Sequence, residues 1–98
     1  MTTERYSGYK LFVIVDAFLD RSQQAVQALH AAVKFCLDHP DVAKNKWGNQ
    51  NVVIKKAKDF ERWASESDAI FVEPYWDNKQ TACVAFRPEG YAEELPLI

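Results

Sequence analysis

The sequence predicts an α/β domain in three layers, α/β/α, around a four-stranded, mostly parallel mixed sheet. Three observations predict it. Apolar runs of strand length alternate with helical patterns along the chain, and that alternation implies parallel strands joined by crossovers. The first run, Leu11 to Val15, is apolar without interruption, as in a strand buried on both faces. The last two strand-like runs are separated by a short loop, so one of them is expected to run antiparallel.

Taken in order, Met1 to Gly8 is polar and expected to be flexible. Residues 9–98 then form a single domain, as a chain of 98 residues with 48% hydrophobic content allows. Tyr9 to Asp16 is the first strand, expected at the centre of the sheet. Asp20 and Ser22 are both good N-caps. They open a helix that runs from Gln23 to about Leu37 and stops before Pro40, because the residue before a proline avoids the α region.

In that helix Ser22, Val26, Leu29, Val33, Cys36 and Leu37 share one face, widened by Ala25 and Ala32. This face is expected to pack on the sheet. Ala28, Ala31 and Phe35 put apolar groups on the far side as well, which calls for a covering element or a second subunit. A homodimer is therefore expected. Between the two faces runs a polar stripe, Gln23, Gln27, His30 and Lys34.

Asp41 to Gln50, containing Trp47-Gly48-Asn49, is a polar connection, and Asn51 to Lys55 is a second buried strand. Lys58 to Ser67 is a short helix with Phe60 and Ala64 inward and Trp63 beside them. Asp68 to Glu73 is the third strand, Pro74 to Lys79 a loop, and Gln80 to Phe86 the fourth strand. A tail follows, and its closing Leu95-Pro96-Leu97-Ile98 is apolar enough to pack back on the core.

The net charge of −2 argues against nucleic-acid binding driven by overall charge. One local asymmetry stands out. Lys44, Lys46, Lys55, Lys56 and Lys58 lie in a stretch without an acid, either a basic face or an ordinary solvated rim. Cys36 and Cys83 sit in apolar runs without metal-ligand spacing, and His30 and His39 are nine apart, so no metal is expected. No glycine-rich phosphate loop or nucleophile elbow is visible, and no cofactor is implied. The chain shows no leader-like or membrane-length apolar run, and a cytoplasmic protein without membrane contact is expected.

The segment Lys10 to Val15, followed by Ala25-Val26-Gln27-Ala28-Leu29-His30-Ala31-Ala32, resembles the first strand and first helix of type II peptidyl-tRNA hydrolases. Their helix carries A-x-Q-x-x-H-A-A. The later strands and the closing Leu-Pro-Leu-Ile are similar to that family at the level of pattern, so the likeness runs from about Tyr9 to Ile98. It implies a peptidyl-tRNA hydrolase II-like fold and a tRNA end or small nucleotide as ligand. Two departures bear on activity. The family's loop before the helix is rich in lysine and glycine and supplies a catalytic lysine, whereas Asp20-Arg21-Ser22-Gln23-Gln24 has neither. The family's acidic, glycine-containing loop before the final strand is replaced by Glu73-Pro74-Tyr75-Trp76-Asp77-Asn78-Lys79.

Ester hydrolysis would need an activated water, a stabilised oxyanion and a held RNA end. Arg21 is the candidate phosphate clamp, and His30 or Asp77 the candidate base. Ser22, Gln23 and Gln27 offer ligand donors beside the helix N-terminus. Trp47, Trp76 and Lys79 offer stacking surfaces and a cation in loops. Each has a structural alternative: His30 as a packed residue, Asp77 as a turn former, Arg21 as a surface cation, the tryptophans as cover for the core or a dimer contact. Three functions compete. The first is a nucleotide- or tRNA-end-binding module that no longer catalyses. The second is a divergent active hydrolase with Arg21 in place of the lysine. The third is a phage-type nucleotide-sequestering or structural homo-oligomeric protein.

Overall fold

The computed structural model describes residues 7–98; most of the segment expected to be flexible lies outside them. The fold is α/β, with a four-stranded mixed sheet in the order β2-β1-β4-β3. The strands are β1 (Tyr9–Asp16), β2 (Val52–Ala57), β3 (Ala69–Glu73) and β4 (Lys79–Pro88). Helix α1 (Arg21–Asp38) connects β1 to β2, and α2 (Phe60–Ser65) connects β2 to β3. β1 is central, pairing parallel with β2 and antiparallel with β4. β3 and β4 pair antiparallel, so β4 lies against the direction of the other three strands. Only one of the three ladders is therefore parallel, because the hairpin return of β4 wedges between β1 and β3.

Two cores flank the sheet. Leu11, Val13 and Val15 face α1 together with Ala82, Val84 and Phe86 of β4. Phe12, Ile14 and Cys83 face α2 and pack with Phe60, Trp63 and Ala64. The alternation along β1 is the period-2 pleat, and both sets are apolar because both faces are covered.

Three expectations need correction. The face of α1 on the sheet is the one carrying Gln24, Gln27, Ala28, Ala31 and Phe35, all buried. Val26, Leu29, Val33 and Leu37 point to solvent. The small alanines let the helix lie close to the sheet, and the two glutamines find partners inside, so this face wins over the bulkier one. Strand β2 is an edge strand with mostly half-buried side chains, not a second buried strand. The connection after α1 is not irregular: Val42–Trp47 is a π-helical segment that ends at left-handed Gly48, with the Gly48 N–H donating to Ala43 O. Its terminal Trp47 is buried in the α1-side core, its Nε1 donating to Asn51 O at 3.0 Å.

The tail behaves as expected. Leu95 packs on the α2-side core. Leu97 bridges antiparallel to Lys55, and backbone bonds join Lys56 N to Pro96 O and Ile98 N to Ile54 O. The outer edge of β2 is thereby covered.

Candidate functional site

The parallel strands β1, β2 and β3 end on the same side of the sheet, and that side carries the polar loops. In open α/β sheets the crevice beyond the carboxyl ends of the strands is where ligands collect. A cleft of about 670 Å3 opens there, lined by Asp16, Phe18, Lys58, Asp59, Phe60, Glu61, Arg62, Lys79 and Gln80.

Asp16 is the last residue of β1 and is buried. Its Oδ1 accepts the Phe18 N–H at 2.9 Å, which turns the chain out of the strand. Its Oδ2 lies 3.4 Å from Lys79 Nζ, across the seam between β1 and β4. The turn throws the Phe18 ring into solvent, 75% exposed. Gln24 stabilises the same loop from α1: its Nε2 donates to Leu19 O at 2.9 Å and to Ala17 O at 3.4 Å. An exposed phenyl ring on a doubly anchored loop is pre-positioned for contact.

The opposite wall comes from the β2–α2 junction. Asp59 Oδ1 accepts from Trp63 Nε1 at 3.2 Å, and its Oδ2 is 3.8 Å from Arg62 Nη1. The Arg62 guanidinium lies 4.6 Å from the centre of the Trp63 ring. Arg62 is thus held over an aromatic face next to a carboxylate. Lys58 stands beside it, exposed. The cleft therefore mixes three cations with carboxylates and one bare aromatic ring.

The residues singled out from the sequence fall into three places. Arg21, Ser22 and Gln23 stand at the N-terminus of α1. There Asp20 Oδ1 accepts the Gln23 N–H and the Ser22 hydroxyl, each at 2.9 Å. The Gln23 bond, then the Ser22 hydroxyl, holds the Asp20 carboxyl below the usual carboxylate range. Trp76, Asp77 and Lys79 stand in the β3–β4 hairpin at the same end of the sheet. Asp77 and Asn78 both adopt left-handed conformations there, the geometry that Asp and Asn tolerate in turns. Of all these residues only Lys79 lines the cleft.

The other three lie elsewhere or inside. Gln27 is fully buried, donating to Glu73 Oε1 at 3.1 Å and Gln23 Oε1 at 3.4 Å, and accepting from Thr81 Oγ1 at 2.6 Å. His30 is exposed on the flank of α1, its ring stacked on Phe71 with centroids 4.8 Å apart. It is nine residues beyond Arg21, about 13 Å along the helix axis. Trp47 belongs to the opposite end of the sheet, before β2. Arg21, His30 and Asp77 are not gathered into one constellation.

Asp16, Phe18, Asp59 and Arg62 were not singled out from the sequence, and Lys58 was marked only as one of the five lysines of the acid-free stretch. One signal was present: Asp16 closes an uninterrupted apolar strand, and a carboxylate at the carboxyl end of a central strand borders the ligand crevice. No group of histidine, cysteine, aspartate or glutamate among the described residues is arranged to hold a metal ion. No helix among them is long and apolar enough to cross a membrane. No family model matches the chain, and comparison with curated proteins and with solved structures returned no match.

Proposed function

We propose that this domain binds a small nucleotide, or the nucleotide end of an RNA, in the cleft beyond the strand ends, and binds it without hydrolysing it. The observation that carries the reading is the lining of that cleft. Phe18 offers a bare ring for a base. Asp16 and Asp59 are acceptors for ribose hydroxyls. Lys58, Arg62 and Lys79 offer donors to phosphate. A mixture of both charges suits a ligand with an anionic end and a hydroxyl-bearing middle better than it suits a simple anion.

The sequence order β-α-β-α-β-β and the helix motif around Gln27 and His30 support a peptidyl-tRNA hydrolase II-like ancestry for the domain. The separation of Arg21, His30 and Asp77 speaks for binding over ester hydrolysis.

Calorimetric titration with mononucleotides and with a short RNA bearing a 3′-CCA end tests the proposal. Saturable binding is expected, weakened by salt as phosphate contacts are. Phe18→Ala should cost about 1–3 kcal/mol if one base stacks there. No binding by wild type, or binding indifferent to Phe18→Ala and Lys79→Ala together, would overturn it. Cleavage of an N-blocked aminoacyl-tRNA that Arg21→Ala abolishes would restore the hydrolase reading.

A further inference from the structure

Helix α2 has six residues and strand β1 eight, about 9 Å of helix against about 26 Å of strand. The rest of that face of the sheet is roofed by the C-terminal tail, through Tyr91, Ala92 and Leu95. Between roof and sheet lies a hollow of about 600 Å3, apart from the cleft at the strand ends. Lys10, Phe12 and Lys55 line it from the strands, and Glu89, Tyr91 and Glu93 from the tail.

The roof is a braced arch. Gly90 (φ 102°) and Ala92 (φ 59°) both take left-handed backbone, which a residue with a side chain rarely adopts. Two contacts hold Ala92 there. It is buried in the α2-side core, and its carbonyl accepts from Lys55 Nζ at 2.9 Å. Tyr91 stands edge-on to Phe12, ring centroids 5.3 Å apart, with its hydroxyl donating to Glu66. Left-handed backbone at such a residue persists only where the surroundings enforce it, and it collects at ligand sites.

The charges round the hollow are an independent observation. None of the ion pairs among the described residues includes Lys10, Lys55, Glu89 or Glu93. Two cations from the sheet and two carboxylates from the tail thus border one space without closing on each other.

We infer that this hollow is a binding site for a zwitterionic amino acid or dipeptide with an apolar side chain. The ligand's ammonium meets Glu89 and Glu93. Its carboxylate meets Lys10 and the N–H groups that Lys55 does not spend on Ala92. Its side chain lies on the Phe12 and Tyr91 rings. A simple anion is opposed by the two glutamates and a simple cation by the two lysines, whereas a zwitterion answers both. An uncharged apolar molecule strips water from four charges and returns no partner to them. The volume falls within the range of small-molecule sites.

The test is calorimetric titration of the full chain with leucyl-phenylalanine, its N-acetyl form and its C-terminal amide. Saturable binding of the free dipeptide is expected, weakened about tenfold or more by either block and by Lys10→Ala or Glu89→Ala. Neither substituted side chain is buried, so circular dichroism should be unchanged. Lys79→Ala, in the cleft, should leave dipeptide binding intact. A wild type that does not saturate by roughly 10 mM dipeptide overturns the inference. So does binding that tolerates either block or either substitution, and so does binding lost in Lys79→Ala. Should Lys10→Ala misfold, Glu89→Ala and the blocked dipeptides still decide.

Discussion

Thr81 donates its hydroxyl hydrogen to the side-chain oxygen of Gln27 across 2.6 Å, and neither residue exposes any surface. The bond ties α1 to β4, and through Glu73 the same amide reaches β3. Thr81 also sits where the β3–β4 register shifts, opposite the step from Phe71 to Val72. A polar tie at an irregular register fixes which residues of the hairpin face the helix.

Gln27→Leu should therefore destabilise the fold by about 1–3 kcal/mol, the cost of leaving the buried Thr81 hydroxyl without its acceptor. Adding Thr81→Val should recover much of the loss, since removing both partners removes the orphan as well. Urea denaturation of the two single variants and the double variant reads this directly. Additive losses would show that the two side chains do not act as a pair.

Tyr91 gives an alkaline prediction. Burial, then its 2.9 Å hydrogen bond to Glu66 Oε1, pushes its phenol well above the ordinary tyrosine range. Edge contacts with Trp63 and Phe12 hold the ring in place. The folded chain keeps the Tyr91 proton where the unfolded chain has lost it. The contribution to stability is therefore complete below about pH 10 and falls away as pH rises beyond that. Spectrophotometric titration should show one of the four tyrosines ionising late, and only with unfolding. Tyr91→Phe should remove that late step and flatten the alkaline loss of stability.

The two cysteines should differ in reactivity. Burial pushes the Cys83 thiol up to about 12 and raises the half-buried Cys36 as well. A thiol reagent applied to the native protein at neutral pH should modify Cys36 alone, because only thiolate reacts and only Cys36 is reachable. Denaturant should release the second equivalent. Rapid native labelling of both would mean that the sheet opens around Cys83.

The central strand was legible from the sequence because Leu11 to Val15 is an uninterrupted apolar run of strand length, rich in β-branched residues. The start of α1 was legible to within two residues, with Asp20 and Ser22 both offered as caps; Asp20 takes the role through the side-chain bond it accepts from the Gln23 N–H, and Ser22 lies inside the helix. The orientation of α1 was not. Its apolar residues run nearly all round, so periodicity gives no single inward direction, and side-chain bulk pointed to Val26 and Leu29. What decided the matter was tertiary: two glutamines that find hydrogen-bond partners only inside, and alanines that allow close packing. Of the cleft, only Lys79 was legible as a site residue. Lys79 was marked by its loop, but Phe18, Lys58 and Arg62 become neighbours only when β1, β2 and β4 are set side by side.

The tail laid along β2 has a consequence for how the protein behaves in a crowd. An open sheet ends in two ladders of hydrogen-bonding groups that any stray strand can join. On β2 those groups meet Pro96, Leu97 and Ile98 of the same chain, so the ladder ends in an internal stopper. The sheet is thus closed to growth at the β2 margin by occupancy.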